Sequence, residues 1–182
     1  MRTSSIVKNS LIAGAVAAGV AGLVRANERR RFPGDGLSTR DIALMNRFVQ
    51  ANLAEIACAE LAVDRSQNDH IVKFAKSMIG DHSKALNQFS RLAKAKNVNL
   101  SVAADENHRA ALEKLRALDD DQFDRKYVLQ AGISDHQDTL ALVNEIMQTA
   151  DDKELIALAE KLAPTIDHHL KMAESMKGFV SH

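Results

Sequence analysis

Residues 71–92 read I-V-K-F-A-K-S-M-I-G-D-H-S-K-A-L-N-Q-F-S-R-L. Ile71, Phe74, Met78, His82, Ala85, Phe89 and Leu92 follow one another in steps of three and four. That spacing is one face of an α-helix. It predicts a helix from Ser66–Asp69 to about Lys96, with His82 on the buried face. Asp81, one residue earlier, is turned about 100° toward a flank.

The same rhythm extends on both sides. Upstream, Ser38 or Thr39 with Asp41 in the first turn is a helix start. Met45, Phe48, Val49, Leu53, Ile56, Ala59, Ala62 and Val63 then form a stripe that ends near Ser66, with Glu55 at its edge. Downstream, the acidic run Asp119-Asp120-Asp121 suits a helix N-terminus. The stripe there is Leu129, Ile133, His136, Leu140, Val143 and Met147. A last helix opens at Asp151-Asp152 with Leu155, Leu158, Leu162, Ile166, His169, Ala173 and Met176 on one face. Pro164 inside it should kink it, and Gly178 ends it. Asn97 to Leu118 is too long for a tight helix connection. It reads as an extended piece, then a short helix over 103–118 with Ala111, Leu112 and Leu115 as its apolar face.

Four helices of about 28 residues are about 42 Å long at 1.5 Å per residue, and none buries its stripe alone. Two antiparallel pairs joined by one long crossover make an all-α, ferritin-like four-helix bundle. In it the second and third helices run parallel. His82 and His136 then come level to within about 3 Å. Glu55 reaches nearly the same level, and His169 falls a turn or more away.

Composition agrees with this. Gly (8), Pro (2) and aromatics (4%) are scarce in 182 residues, which favours helices over strands. Charge balances to zero, and no basic footprint for nucleic acid is present. The single Cys58 excludes a disulfide framework and a multi-Cys zinc site; in Ala57-Cys58-Ala59 it reads as a packed thiol. Arg2 and Lys8 precede an uncharged run from Leu11 to Val24, and Val24-Arg25-Ala26 offers a cleavage site. Residues 1–26 therefore read as an export signal, or as a membrane anchor given the arginines that follow. Cleavage after Ala26 removes three of the 24 basic residues and none of the 24 acidic ones, a net charge of −3. Residues 27–37, with Pro33-Gly34-Asp35-Gly36, form a linker, 38–178 the bundle and 179–182 a tail. The expected location is the periplasm or cell envelope, with inner-membrane anchoring as the alternative.

A core holding Glu55, His82, His136 and His169 has the residue types of a site for one divalent ion: zinc, iron, copper or manganese. The competing reading is a polar plug of hydrogen-bonded histidines that sets bundle register. Asp81 and Asp135, beside two of the histidines, are placed to orient rings. Di-iron bundles need Glu three residues before each His, and here stand Ile79, Ile133 and Ile166, which argues against a di-iron oxidoreductase. The methionines recur at core spacing and read as packing. Glu60 and Asp64 read as a solvated face, and His70 and His108 as exposed. Asp124 and Tyr127, three apart, are candidates to pair with each other or with a core His. No phosphate loop and no nucleophile elbow occurs.

Four stretches resemble one family in order. They are F-V-Q-A-N-L-A-E-I-A-C-A-E-L-A (48–62), F-A-K-S-M-I-G-D-H (74–82), Phe123-Asp124 with Tyr127 and Asp135-His136, and Leu162-Ala163-Pro164 through His169-Leu170. Together they are similar to the bacterial domain-of-unknown-function family 4142. The resemblance implies a ferritin-like, exported bundle, often described as an outer-membrane protein, and no defined activity. It implies that Glu55, His82, Asp124, Tyr127, His136 and His169 mark the family. The functional expectation is a bundle that binds a divalent metal or small ligand through its His/Glu core, in envelope stress. The alternative is a structural or interaction module without ligand. Partner and oligomeric state stay open, with self-association and membrane contact through residues 1–26 both admissible.

Overall fold

A computed structural model of the chain describes residues 36–180. The expected export or anchor segment and most of the linker lie outside the described residues, as do Ser181 and His182. The elements are α1 (Thr39–Arg65), α2 (Asp69–Ala95), α3 (Glu106–Arg116) and α4 (Asp120–Tyr127), then a π-helical segment (Val128–Ser134), α5 (Asp135–Thr149) and α6 (Lys153–Met176). A 3-10 turn, Lys177–Phe179, follows α6. No strand occurs among the described residues.

Short polar side chains start the helices. Ser38, Asn68, Asp105, Asp119 and Asp152 each accept a backbone N–H from the first turn that follows, satisfying donors that have no partner inside the helix. α2 ends in a Schellman motif. Asn97 takes φ 55°, and the N–H groups of Val98 and Asn97 return to the carbonyls of Ala93 and Lys94.

Contacts at the helix ends give the directions. Arg40 near the start of α1 donates to the Thr149 carbonyl at the end of α5. Arg65 at the end of α1 meets Asp120 at the start of α4. Lys96, just past α2, pairs with Asp152 at the start of α6. Each of these neighbours is therefore antiparallel, as the long crossover requires. Arg65 also donates to the carbonyls of Arg116 and Leu118 and lies over the Phe123 ring, which ties the crossover to the end of α1. Asp41 does more than open α1. Its buried carboxylate accepts the N–H groups of Asp151 and Asp152 and holds the turn into α6.

Several expectations need correction. The third long helix is continuous, as expected, because Tyr127, Val128, Ser134 and Asp135 all keep right-handed helical dihedrals, but it runs as α4 and α5 joined through the π segment. The π segment advances the register by a fraction of a turn. Val128, Ala131 and Gly132 consequently face inward, while Leu129 is 39% exposed. Gly132 sits where α6 approaches closely: a Cβ there would stand 2.8 Å from Cβ of Ala173. The crossover helix is shorter than 103–118 and buries Leu115, while Ala111 is exposed. Glu55 is not at a stripe edge; it is buried with Asn52 on the inner face of α1. Leu37, at the end of the linker, is buried in the core. α6 continues through Pro164 as a single helix.

The apolar interior is divided in two. One cluster contains Cys58, Ala59, Phe74, Met78, Tyr127, Ala131 and Ala173. The other contains Phe48, Val49, Ala85, Phe89, Val143 and Ile166. Between them, on each of the four long helices, stand buried polar residues: Asn52 and Glu55, His82, His136 and Thr139, and His169. Burying that many polar groups is costly unless each finds a partner, so this layer is where the bundle's chemistry is concentrated.

Candidate metal centre

The three histidines converge at nearly equal spacing. Ring centroids are 5.4 Å apart for His82–His136, 5.3 Å for His82–His169 and 5.6 Å for His136–His169. One ring nitrogen from each lies within 4.8 Å of those of the other two. The rings are 4%, 0% and 1% exposed, so the centre is closed to bulk solvent. His169 is a full member, where a count of residues along ideal helices put it a turn or more away.

Each ring has one nitrogen engaged. Nδ1 of His136 donates to the Ala131 carbonyl at 2.8 Å. A carbonyl only accepts, so Nδ1 carries a proton, and in the neutral imidazole the Nε2 lone pair is free. That carbonyl lies in the π segment, where the N–H of Asp135 bonds instead to Gln130. The change of register thus accompanies the bond that orients His136. Nδ1 of His82 lies 2.6 Å from Oδ1 of Asn52. Oε2 of Glu55 is also close to it, at 2.9 Å, but off the N–H axis, and makes no hydrogen bond. Nε2 of His169 donates to Asp81 at 3.2 Å. The remaining nitrogens, Nε2 of His82, Nε2 of His136 and Nδ1 of His169, are buried without a partner. The engaged nitrogens resemble the outer hydrogen bonds that fix tautomer and orientation in metal-ligating histidines.

Electrostatics keep the layer in a defined state. Burial pushes His169 down to about 4, repulsion from His82 and His136 adds to this, and Asp81 opposes it. His169 is therefore neutral at pH 7. Burial pushes the Glu55 carboxyl up, but the His82 and His136 imidazoles, with His82 and Thr139 as close partners, outweigh it and hold it at about 2. Glu55 is an anion beside the rings. Oε1 accepts from Thr139 at 3.0 Å and lies 3.8 Å from Nδ1 of His136. Its oxygens thus meet the engaged nitrogens of His82 and His136 rather than the free ones.

The other candidate residues fall into place around this layer. Asp81 is 31% exposed; its bond from Lys84 first, and that from His169, hold its carboxyl down against the effect of burial. It orients His169, on α6, and not its sequence neighbour His82. Asp135 accepts from Gln130 at 2.7 Å; burial pushes its carboxyl up, Gln130 opposes, and Glu55 adds to the rise. Oη of Tyr127 and Oδ1 of Asp124 are buried without partners, and neither bonds a core histidine. Cys58 is buried, and burial, with Asp135 and Glu55 adding, pushes its thiol up to about 12. Ile133 and Ile166 are buried and Ile79 partly so, where di-iron ligands would stand. Asn52, Thr139 and the Ala131 carbonyl went unnoticed in the sequence. Asn52 follows Phe48 by four and Thr139 follows His136 by three, so both had the spacing of the buried face; the carbonyl had no signal.

These features define a ferritin-like bundle with a buried three-histidine centre. The profile of the family described as "domain of unknown function (DUF4142)" matches residues 29–176. The chain belongs to that family. A crystal structure of a DUF305 fragment from Deinococcus radiodurans is similar in fold, with a TM-score of 0.70 and 15% identity, covering 79% of this chain and 98% of that one. No curated protein matches the chain.

Proposed function

We propose that the protein binds one divalent transition-metal ion through His82, His136 and His169. The observation that carries this is a group of three buried histidines on three helices: each keeps one ring nitrogen without a partner, and one ring nitrogen of each lies within 4.8 Å of those of the others. A buried acceptor without a partner costs about 1–3 kcal/mol, and a bound cation satisfies all three at once. Nitrogens at about 2.0–2.1 Å from zinc stand about 3.3 Å apart in a tetrahedral site, so binding would draw the rings inward by about an ångström. Asn52, the Ala131 carbonyl and Asp81 would hold the rings in the tautomers that present lone pairs, and anionic Glu55 would offset the added charge. Three protein ligands leave a position open, so a bound ion would supply a Lewis acid. The residue types admit zinc, iron, copper and manganese. The chemistry belongs in the cell envelope if residues 1–26 direct export, which fractionation of the full-length protein checks.

Elemental analysis of untagged protein, followed by Co²⁺ titration monitored by visible absorption, tests the assignment. One ion per chain is expected, abolished by His136→Ala. Protein that stays metal-free under zinc, iron, copper, manganese and cobalt would refute it and leave the histidines as a polar layer that sets register. In that case His82→Leu would fold with equal or greater stability.

A further inference from the structure

A centre this deeply buried needs a way in, and one cleft leads toward it. The cleft, about 260 Å³, lies between α1, the start of α3 and α5. Three of its lining residues are buried, Glu55, Thr139 and Leu142; Glu55 and Thr139 are bonded to each other and form its polar inner end. Nearer the surface it carries Asp105, Asp135 and Asp138. One cationic side chain and a histidine also line it, and each has a partner. Arg47 pairs with Glu145 at 2.8 Å, and His108 with Asp105 at 2.8 Å. The carboxylates therefore dominate. At the inner end, Oε2 of Glu55 is buried with no hydrogen-bond partner, within 2.9 Å of the His82 ring. A carboxylate oxygen left without a hydrogen bond at the end of an acidic cleft is what an incoming cation would coordinate.

We propose that this cleft is the port through which a hydrated divalent cation reaches the histidine centre. The proposal rests on the metal assignment above. The ion docks against Asp105, Asp135 and Asp138, exchanges water for carboxylate oxygen, and meets Glu55 last before the imidazoles. The carboxylates raise the local cation concentration and hence the rate of entry, while the histidines set the final affinity. The competing route runs along Asp81, the partly exposed partner of His169.

The test is stopped-flow Co²⁺ loading of the full chain at low salt, with the endpoint stoichiometry measured on the same samples. Asp138 is exposed, so Asp138→Asn and Asp138→Lys leave the core intact. We expect loading to slow about threefold for the first and tenfold or more for the second, with the difference closing at high salt. Ala51→Phe, which fills the cleft, should slow loading at every salt concentration. All three variants should still end at one ion per chain. Glu160→Lys on the exposed face of α6 is the control for general charge. Normal stoichiometry with unchanged rates in all three cleft variants overturns the port alone. Equal slowing by Glu160→Lys also overturns it. No Co²⁺ at the endpoint in the unmodified chain overturns the histidine assignment and the port with it.

Discussion

Gly132→Ala should loosen the bundle beside the histidine layer. The added Cβ would stand 2.8 Å from Cβ of Ala173 and 3.7 Å from Cε1 of Phe74. The second distance is an ordinary contact. The first is about an ångström short of one, since carbon pairs settle at about 3.5–4.0 Å. Neither methyl can rotate away, so the π segment and α6 must separate. Overpacking costs about 1–3 kcal/mol, and two fixed methyls this close belong in the upper part of that range, about 2–3 kcal/mol. Replacing glycine within a helix returns about 1 kcal/mol, leaving a net loss of about 1–2 kcal/mol. For a chain of this size that is about 2–4 °C in Tm per kcal/mol. Ala173 is one turn from His169 on α6, so Co²⁺ affinity should fall as well. Urea unfolding and thermal melts of the single variants and of Gly132→Ala/Ala173→Gly check this as a cycle. Removing the facing methyl should recover about 1 kcal/mol or more beyond additivity. A Gly132→Ala protein as stable as the parent, or strictly additive behaviour, would refute the close approach.

Asp41→Ala should lower stability by about 2–3 kcal/mol, because it strands the two N–H groups that enter α6; a loss under about 0.5 kcal/mol in urea unfolding would contradict that role. Asp152 is expected to stabilise in a pH-dependent way. Burial pushes its carboxyl up, but the bond from Lys96 and the first-turn amides of α6 bring it below its usual value. Its contribution is therefore present above the ordinary Asp range near 3.9 and is lost as pH falls through the depressed value. Asp152→Asn keeps the cap and loses the ion pair, so it should cost about 1 kcal/mol at pH 7 and nothing at the acid end; a gap constant with pH would count against this. Cys58, buried with its thiol pushed up to about 12, should resist iodoacetamide at pH 8 in the native protein and react in urea, as mass spectrometry would show. Alkylation at the same rate in both states would contradict its packing.

Much of this protein is legible along the chain because helices write their buried face at a regular period. Phe74, Met78, His82, Ala85 and Phe89 placed α2, and the cap residues Ser38, Asn68, Asp119 and Asp152 lie at or beside the starts read from the sequence. The length of 97–118 decided the ferritin-like path, since no shorter topology uses so long a connection. The three histidines were legible too, because each occupies an apolar slot in such a stripe.

Other features depend on contacts between helices. A periodic stripe states that a residue faces inward but not which neighbour it meets. The sequence places Asp81 to orient a ring without saying which; its partner is His169 on another helix. Glu55 was grouped with the histidines by level alone, whereas its oxygens face the nitrogens already engaged on His82 and His136. The π segment had no sequence period of its own. It joins two α-helical stretches whose apolar positions are out of phase, and it accompanies both the exposure of Leu129 and the Ala131 carbonyl that orients His136. By itself the sequence determined four helices, their order and the three imidazoles, because local backbone geometry fixes which side chains share a face. Only the tertiary structure decided which nitrogen of each ring is free, because that depends on acceptors delivered by other turns and other helices.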